Sequence, residues 1–579
     1  MDIMNFQAEP VTINTLLSVS KQYFIPRYQR DFSWTKENIE ELWADLIGNI
    51  VLRDGEYRCE EYFIGTLVLA GSDDSFEVEV VDGQQRLTVI TMFISAICRV
   101  LNELGEVKAA QSTFDTYIKG SNRRGDDFSK LDKRSQTDYF RLTIQDLQRH
   151  QTEPQSEEDE LVKAAYTQIT RLITKQNIKK AFEISGTLSD QDYITLLNTL
   201  IDLIVDHLKV IRVNVINSDD AYTIFEILNA RGINLSPVDL IKNKVLQEWD
   251  STYPIDFAKT KWNEIVSALS SRDVSVTLED YSIHQWTTQY AYTSRRNLYK
   301  AFKKQWVEGN INAENYLLRL HQDSSTYMKI VSPLLVDWPQ ADQRPIYNSL
   351  SALKVFGVSI MRSFLLALFN ARSRGVIKQR QLITTLSKIE NFHFMFNSIC
   401  SMRPSGIEGL YAKCARNLSN ADNARDARDV LDELLTTLEQ KKPTKESFNQ
   451  KFSKLQFLNG NVTHKKLIQY IFVKIERHLR STTELEPSDL SLEHVMSQST
   501  QSASSVVIGS IGNLLPLGES LNGRAGTGDF SAKKAIYSDS EYRIVQEFIT
   551  DNTQNTWTED NIRDRTQALA DLAYDSIWI

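Results

Sequence analysis

The chain has 579 residues, 41% apolar and 24% charged, the balance of a soluble globular protein too long for a single core. Its net charge of −9 and pI near 5.6 exclude a globally basic nucleic-acid binder, though not a local basic track. Cys59, Cys98, Cys400 and Cys414 form no CxxC pair, and no apolar run is long enough for a membrane span. A disulfide framework, a structural zinc and a membrane partner are therefore not expected. The opening MDIMNFQAEPVTI lacks the basic and apolar regions of a signal peptide, and the reducing cytoplasm is the expected location.

In chain order, a lead-in with a small helix precedes FIPRYQRDFSW, residues 24–34. Pro26 sets an extended turn, and Arg27, Tyr28, Arg30 and Trp34 crowd cations and aromatics into one loop. That mixture suits a phosphate or a flat base, and equally suits a buried arginine anchored by Asp31. TKENIEELWADLIGNIV reads as an amphipathic helix capped by Thr35. YFIGTLVLAG and SFEVEVVD read as paired strands. The second runs through Asp82-Gly83-Gln84-Gln85-Arg86 into the helical LTVITMFISAICRVLNEL. Strand, glycine turn and helix start expose backbone N–H groups to an anion, and Arg86 adds a cationic fork.

Residues 105–205 read as a mostly helical insertion, followed by a strand over LKVIRVNVI and by two helices around Asn229-Ala230-Arg231-Gly232. Ser236 caps the second of these, with Pro237 at its first position and Asp239 in its first turn. Helical periodicity then runs over 250–440, where Phe392, His393, Phe394 and Phe396 fit a packed core better than a ligand box. EQKKPTKESF reads as a linker. The helix after it carries Lys465 and Lys466, and the closing helices carry Lys533, Lys534, Arg563 and Arg565. Each is a candidate DNA-backbone contact or a solvated charge.

Near the C-terminus Glu493-His494 precedes Asn513 and Asn522. A carboxylate, an imidazole and two amides can surround one divalent cation, with the imidazole free to deprotonate a water. The grouping resembles an HNH (ββα-metal) nuclease centre. The resemblance implies that Glu493 and Asn522 ligate the metal, that His494 is the general base and that Asn513 orients it. A proline usual near this point in that pattern is replaced by Val495-Met496-Ser497.

FIPRYQRDFSW, YFIGTLVL, VVDGQQRLT and LNARGINLSPVDLIKN, in this order and ahead of such a C-terminus, resemble the GmrSD-type modification-dependent (type IV) restriction endonucleases. The fold class expected is α+β and predominantly helical. A ParB/sulfiredoxin-like α/β domain would span 1–248, a helical connector and candidate dimer surface 249–440, and an HNH domain 441–579. The resemblance implies that Asp82, Gly83, Gln84, Gln85 and Arg86 hold the phosphates of a nucleoside triphosphate of unidentified base. Tyr28, Gln29 and Arg30 would face the same pocket, and Asn229, Arg231, Asp239 and Lys242 would shape its wall. It further implies NTP hydrolysis, cleavage of modified double-stranded DNA with Mg²⁺ or Mn²⁺, and a companion modification or phage-exclusion system.

Overall fold

The computed structural model describes residues 6–26, 29, 31–72, 74–135, 137–148, 152–216, 221, 236–249, 257–274, 276–403, 405–458, 462–480, 490–498 and 504–579. The chain divides into two compact units, Met1–Thr260 and Lys261–Ile579. It is α+β and mostly helical.

The first unit is built on a six-stranded mixed sheet. Its strands are β1 (Phe6–Thr12), β2 (Gln22–Ile25), β3 (Tyr62–Ala70), β4 (Glu77–Asp82), β5 (Leu131–Lys133) and β6 (Leu208–Val215). Their spatial order is β1-β6-β3-β4-β2-β5. β6 pairs antiparallel with β1 and parallel with β3, so the strand read from LKVIRVNVI lies inside the sheet. β3 and β4 pair antiparallel, Val68 opposite Asp82, which delivers the DGQQR segment directly from the sheet.

Helix α1 (Gln84–Glu103) follows that strand, and sixteen of its twenty residues are buried. A helix buried on nearly all sides needs its polar side chains satisfied. Thr88 and Thr91 donate to the carbonyls of Gln84 and Leu87, and the Arg99 guanidinium donates to the Tyr166 hydroxyl and the Thr143 carbonyl. The expected insertion is not purely helical, because β5 lies within it and pairs with β2. A three-residue strand leaves no periodicity by which to find it.

The second unit packs helices around a core that runs from Phe394 to Trp578. His393 is a satisfied core histidine, bonded to Asn397 and the Tyr411 hydroxyl. The stretch read as a linker is a turn between two helices, Ala424–Gln440 and Lys445–Phe452, and Phe448 within it is fully buried. No helix among the described residues is long and apolar enough to cross a membrane.

Gly83 caps α1 at φ +89°, and a Cβ there would lie 2.7 Å from Leu67 Cδ1 and 3.2 Å from the Thr66 carbonyl oxygen. Both the left-handed backbone and the contact exclude a larger residue. Gly83→Ala is expected to lower unfolding free energy by at least about 1–2 kcal/mol in denaturant titration.

Candidate functional site

In the first unit the N-terminus of α1 opens on a narrow cleft. Gln84 and Gln85 line it, together with Gln29, Asp31, Lys133 and Lys259. Gln85 fastens the loop ahead of it: its side-chain oxygen accepts from Ser33 N–H at 3.0 Å and its amide donates to the Asp31 carbonyl at 3.2 Å. The Gln29 amide donates to the Val80 carbonyl at 2.6 Å. Glu158, on helix α2 (Glu157–Leu172), accepts from Phe32 N–H at 2.8 Å and pairs with the buried Lys133 ammonium. Asp31 pairs with Lys259 at 2.6 Å.

Two residues expected at the nucleotide site, Arg86 at a phosphate and Asp239 on the pocket wall, have partners of their own. The Arg86 guanidinium donates to the Thr66 carbonyl at 2.8 Å and lies against Gly65, away from the residues that line the cleft. Asp239 closes a capping box with Ser236 at the start of helix α3 (Pro237–Glu248). Lys242, one turn later, is held below the usual lysine range, first by burial, with Asp31 opposing and Lys259 adding to the effect. Asp82 ends β4. Tyr28, Arg30, Asn229 and Arg231 lie outside the described residues.

In the second unit β7 (Leu490–His494) pairs antiparallel with β8 (Leu514–Gly518), placing Glu493 opposite Leu515 and His494 opposite Leu514. Neighbours on a strand face opposite sides, and the two side chains find different partners. The buried Lys533, on helix α7 (Phe530–Tyr537), places its ammonium 2.7 Å from Glu493 Oε1 and 2.6 Å from the His494 carbonyl oxygen. The Tyr537 hydroxyl donates to the same carboxylate oxygen at 3.0 Å.

His494 turns the other way. Its Nε2 lies 3.0 Å from the Phe457 carbonyl oxygen, and its ring stacks on Phe457. A carbonyl can only accept, so Nε2 carries the proton and Nδ1 the lone pair. The exposed Gln498 lies over the ring, its amide nitrogen 3.1 Å from Nδ1 and 3.2 Å from Nε2. Phe457 is brought there by a short ladder, with its N–H on the Gly509 carbonyl and Ile511 N–H on the Leu455 carbonyl. Burial first, and the Lys533 ammonium after it, hold His494 below the usual histidine range, against the Phe457 carbonyl.

Asn513 is fully buried and does not touch the ring. Its amide donates to the carbonyls of Met496 and Ile508, while its side-chain oxygen accepts from Met496 N–H and Trp557 Nε1. It fixes the segment after His494, whereas the Phe457 carbonyl orients the imidazole. Asn522, on helix α6 (Glu519–Ala525), donates to Ser491 Oγ at 2.5 Å. Gly512 permits the close approach of helix α9 (Glu559–Leu572), since a Cβ would lie 2.2 Å from the Ile562 carbonyl oxygen.

These residues do not fit a cation held by Glu493. Its charge is already answered by a buried ammonium, and a hard divalent ion brought beside that ammonium would meet repulsion. Among the described residues no three His, Cys, Asp or Glu side chains gather as metal ligands. Lys533 is likewise no DNA contact, being fully buried. Lys534 donates to the Gln554 carbonyl, and the half-buried Arg565 donates to the Gly512 and Leu514 carbonyls. Lys466 is exposed and Lys465 half-buried on helix α5 (Val462–Leu479). Phe457, Trp557 and Gly512 carry no local signal, because only pairing across distant segments brings them to the site, and Gln498, four residues from His494, has no motif to mark it.

Breaking a buried ion pair leaves an uncompensated charge, at a cost of roughly 3–5 kcal/mol. Lys533→Met is expected to lose about that much stability by chemical denaturation, and the double variant with Glu493→Gln to recover most of it.

No curated protein matches the chain. Two family models do: the N-terminal domain of the GmrSD restriction endonuclease over residues 13–246, and the C-terminal domain of GmrSD restriction endonucleases over residues 413–572. The first match takes in strands β2 to β6, α1 and the cleft loop, and the second takes in the β7–β8 hairpin with His494. Together they span about two thirds of the chain. The chain belongs to the GmrSD restriction endonuclease family, whose substrate is DNA.

Proposed function

We propose that this restriction endonuclease is nucleotide-dependent and acts on modified DNA, with the second unit hydrolysing the phosphodiester in an HNH-type reaction. The observation that carries the reading is the state of His494. Its Nε2 proton is committed to the Phe457 carbonyl, which leaves Nδ1 the lone pair, the exposed Gln498 lies over the ring, and its pKa is lowered. A neutral imidazole with one fixed tautomer is what a general base for water attack requires. Displacement of the Gln498 amide would admit the water, and Asn513 would keep the strand end in place behind it.

A divalent cation, Mg²⁺ or Mn²⁺, enters this reading from the family resemblance, and Glu493 as placed does not hold it. In the first unit the α1 N-terminus and the surrounding lysines support binding of a nucleoside triphosphate. Recognition of the DNA modification belongs to the same unit, and a companion modification or phage-exclusion system would supply the context.

A second reading has its own observation behind it. Because Glu493 is neutralised by Lys533, the protein would be a nucleotide-regulated DNA-binding switch that no longer cuts. The two readings part on His494→Ala. As a nuclease base its loss lowers cleavage roughly 10²–10⁴-fold with DNA binding retained, and phage protection disappears. A variant that protects cells as well as the parent would leave only the switch.

Cleavage should be measured on unmodified, phosphorothioate and glycosylated hydroxymethylcytosine DNA, with each NTP and with Mg²⁺, Mn²⁺ or a chelator. The expected result is cutting of one modified class, dependent on NTP and abolished by chelation. Equal rates on all DNAs without nucleotide would remove the regulatory part. The pH dependence is also fixed in sign. A base with a lowered pKa keeps its lone pair at pH 6.5, the ordinary histidine value, so the acid limb of kcat/KM is expected below 6.5.

A further inference from the structure

We propose that a cavity among the helices of the second unit binds an alkyl carboxylate, whose chain fills the apolar interior and whose charge meets Lys354 and Arg362. The lining runs from Val274 to Leu365, in sequence between the two family matches and apart from both sites described above.

Three helices make the cavity: Ala313–Val331, Arg344–Phe356 and Arg362–Ser373. Gly357 ends the second of these at φ +68°, a left-handed backbone that lets the chain turn at once. The third starts at Arg362, so the turn carries a cation on either side, Lys354 before it and Arg362 after it.

The interior is apolar. Ile330, Val331, Leu353, Met361 and Leu365 line it, each at most 6% exposed, and the space they leave is about 280 Å³. Such a space favours hydrocarbon over water, which finds no hydrogen-bond partner on those walls.

The charge is one-sided. Among the described residues no carboxylate lines the cavity, and the hydrogen-bond partners of its two cations are neutral. Lys354 donates to the Ser332 hydroxyl at 3.0 Å, and Arg362 to the Tyr327 hydroxyl. Asp337 reaches this corner through Arg272, which also donates to the Ser332 carbonyl. That guanidinium takes its carboxylate in a bidentate pair at 2.6 and 2.8 Å, and Asp337 is not part of the lining.

Helix polarity sharpens the demand at Arg362. It is the first residue of its helix, where the dipole disfavours a cation, and neither an acidic first turn nor a side-chain cap offsets it. A bound carboxylate supplies that negative charge in a charge-assisted hydrogen bond. An inorganic anion would leave the interior unfilled, and a neutral hydrocarbon would leave the cations unmatched. An apolar body with one anionic end answers both.

The test is calorimetric titration of the full-length protein with hexanoate, octanoate, decanoate and octanol, the fold being checked by circular dichroism. A single site is expected, with affinity rising about fourfold for each added methylene. Octanol should bind roughly ten- to a hundredfold more weakly than octanoate, because it brings no charge to the two cations. Lys354 is exposed, so Lys354→Gln is expected to fold. It and Arg362→Gln should each weaken octanoate roughly five- to tenfold and leave octanol unchanged. Val358→Phe, which adds bulk at a half-buried position of the lining, should abolish octanoate binding. The site is overturned if the parent shows no saturable octanoate binding, or if Val358→Phe retains it. Equal affinity for octanoate and octanol, or equal octanoate affinity in parent and Lys354→Gln, overturns it as well, since either result removes charge from the recognition.

Discussion

The second unit depends on one buried ammonium. Lys533 donates at once to the Glu493 carboxylate and to the carbonyl of His494, so a single side chain of α7 fixes the end of β7 in both charge and position. An ammonium without exposure must be paired, and the pair holds only where the hairpin and helix meet in register. Around this point the unit satisfies its other buried polar groups in the same way. Glu476, fully buried, accepts from the first N–H groups of helix α8 (Arg543–Asp551), and Asn513 uses both ends of its amide. The imidazole of His494 is thus held by a frame of satisfied groups, beneath the exposed Gln498.

The first unit also pairs its buried charges. Its cleft sets Lys133 with Glu158 and Lys259 with Asp31 at the start of a helix whose dipole favours an anion. Lys133 comes from the end of β5, Glu158 from α2 and Lys259 from helix α4 (Phe257–Leu269). Three elements contribute charge to one place, where the six-stranded sheet brings the end of β5 beside the end of β2. Each unit therefore neutralises its buried ammonium groups: one pair beside the histidine in the second, two pairs before a helix N-terminus in the first.

Much of this was legible in the linear chain. The strand pair ending in DGQQR, the buried helix after it, the strand at Leu208–Val215 and the capping box at Ser236-Pro237-Val238-Asp239 follow from local rules. Alternation, helical periodicity, a glycine that must adopt positive φ and a cap that must satisfy free N–H groups each act within a few residues. The α+β, mostly helical class and the family were legible for the same reason, since motifs in sequence order carry them.

The roles within each site were decided by tertiary structure. Glu493 and His494 are adjacent in sequence, and only the strand's alternation and the arrival of α7 show that one faces an ammonium and the other a carbonyl. Lys533 reads as a surface charge until α7 buries it, and Arg565 until the Gly512 and Leu514 carbonyls surround it. Phe457 lies thirty-seven residues from the histidine it orients, and Lys259 lies 228 residues from Asp31. Local propensity fixes elements because its forces reach one helical turn. The partners of a buried charge are chosen by which elements pack together, and no spacing in the sequence encodes that.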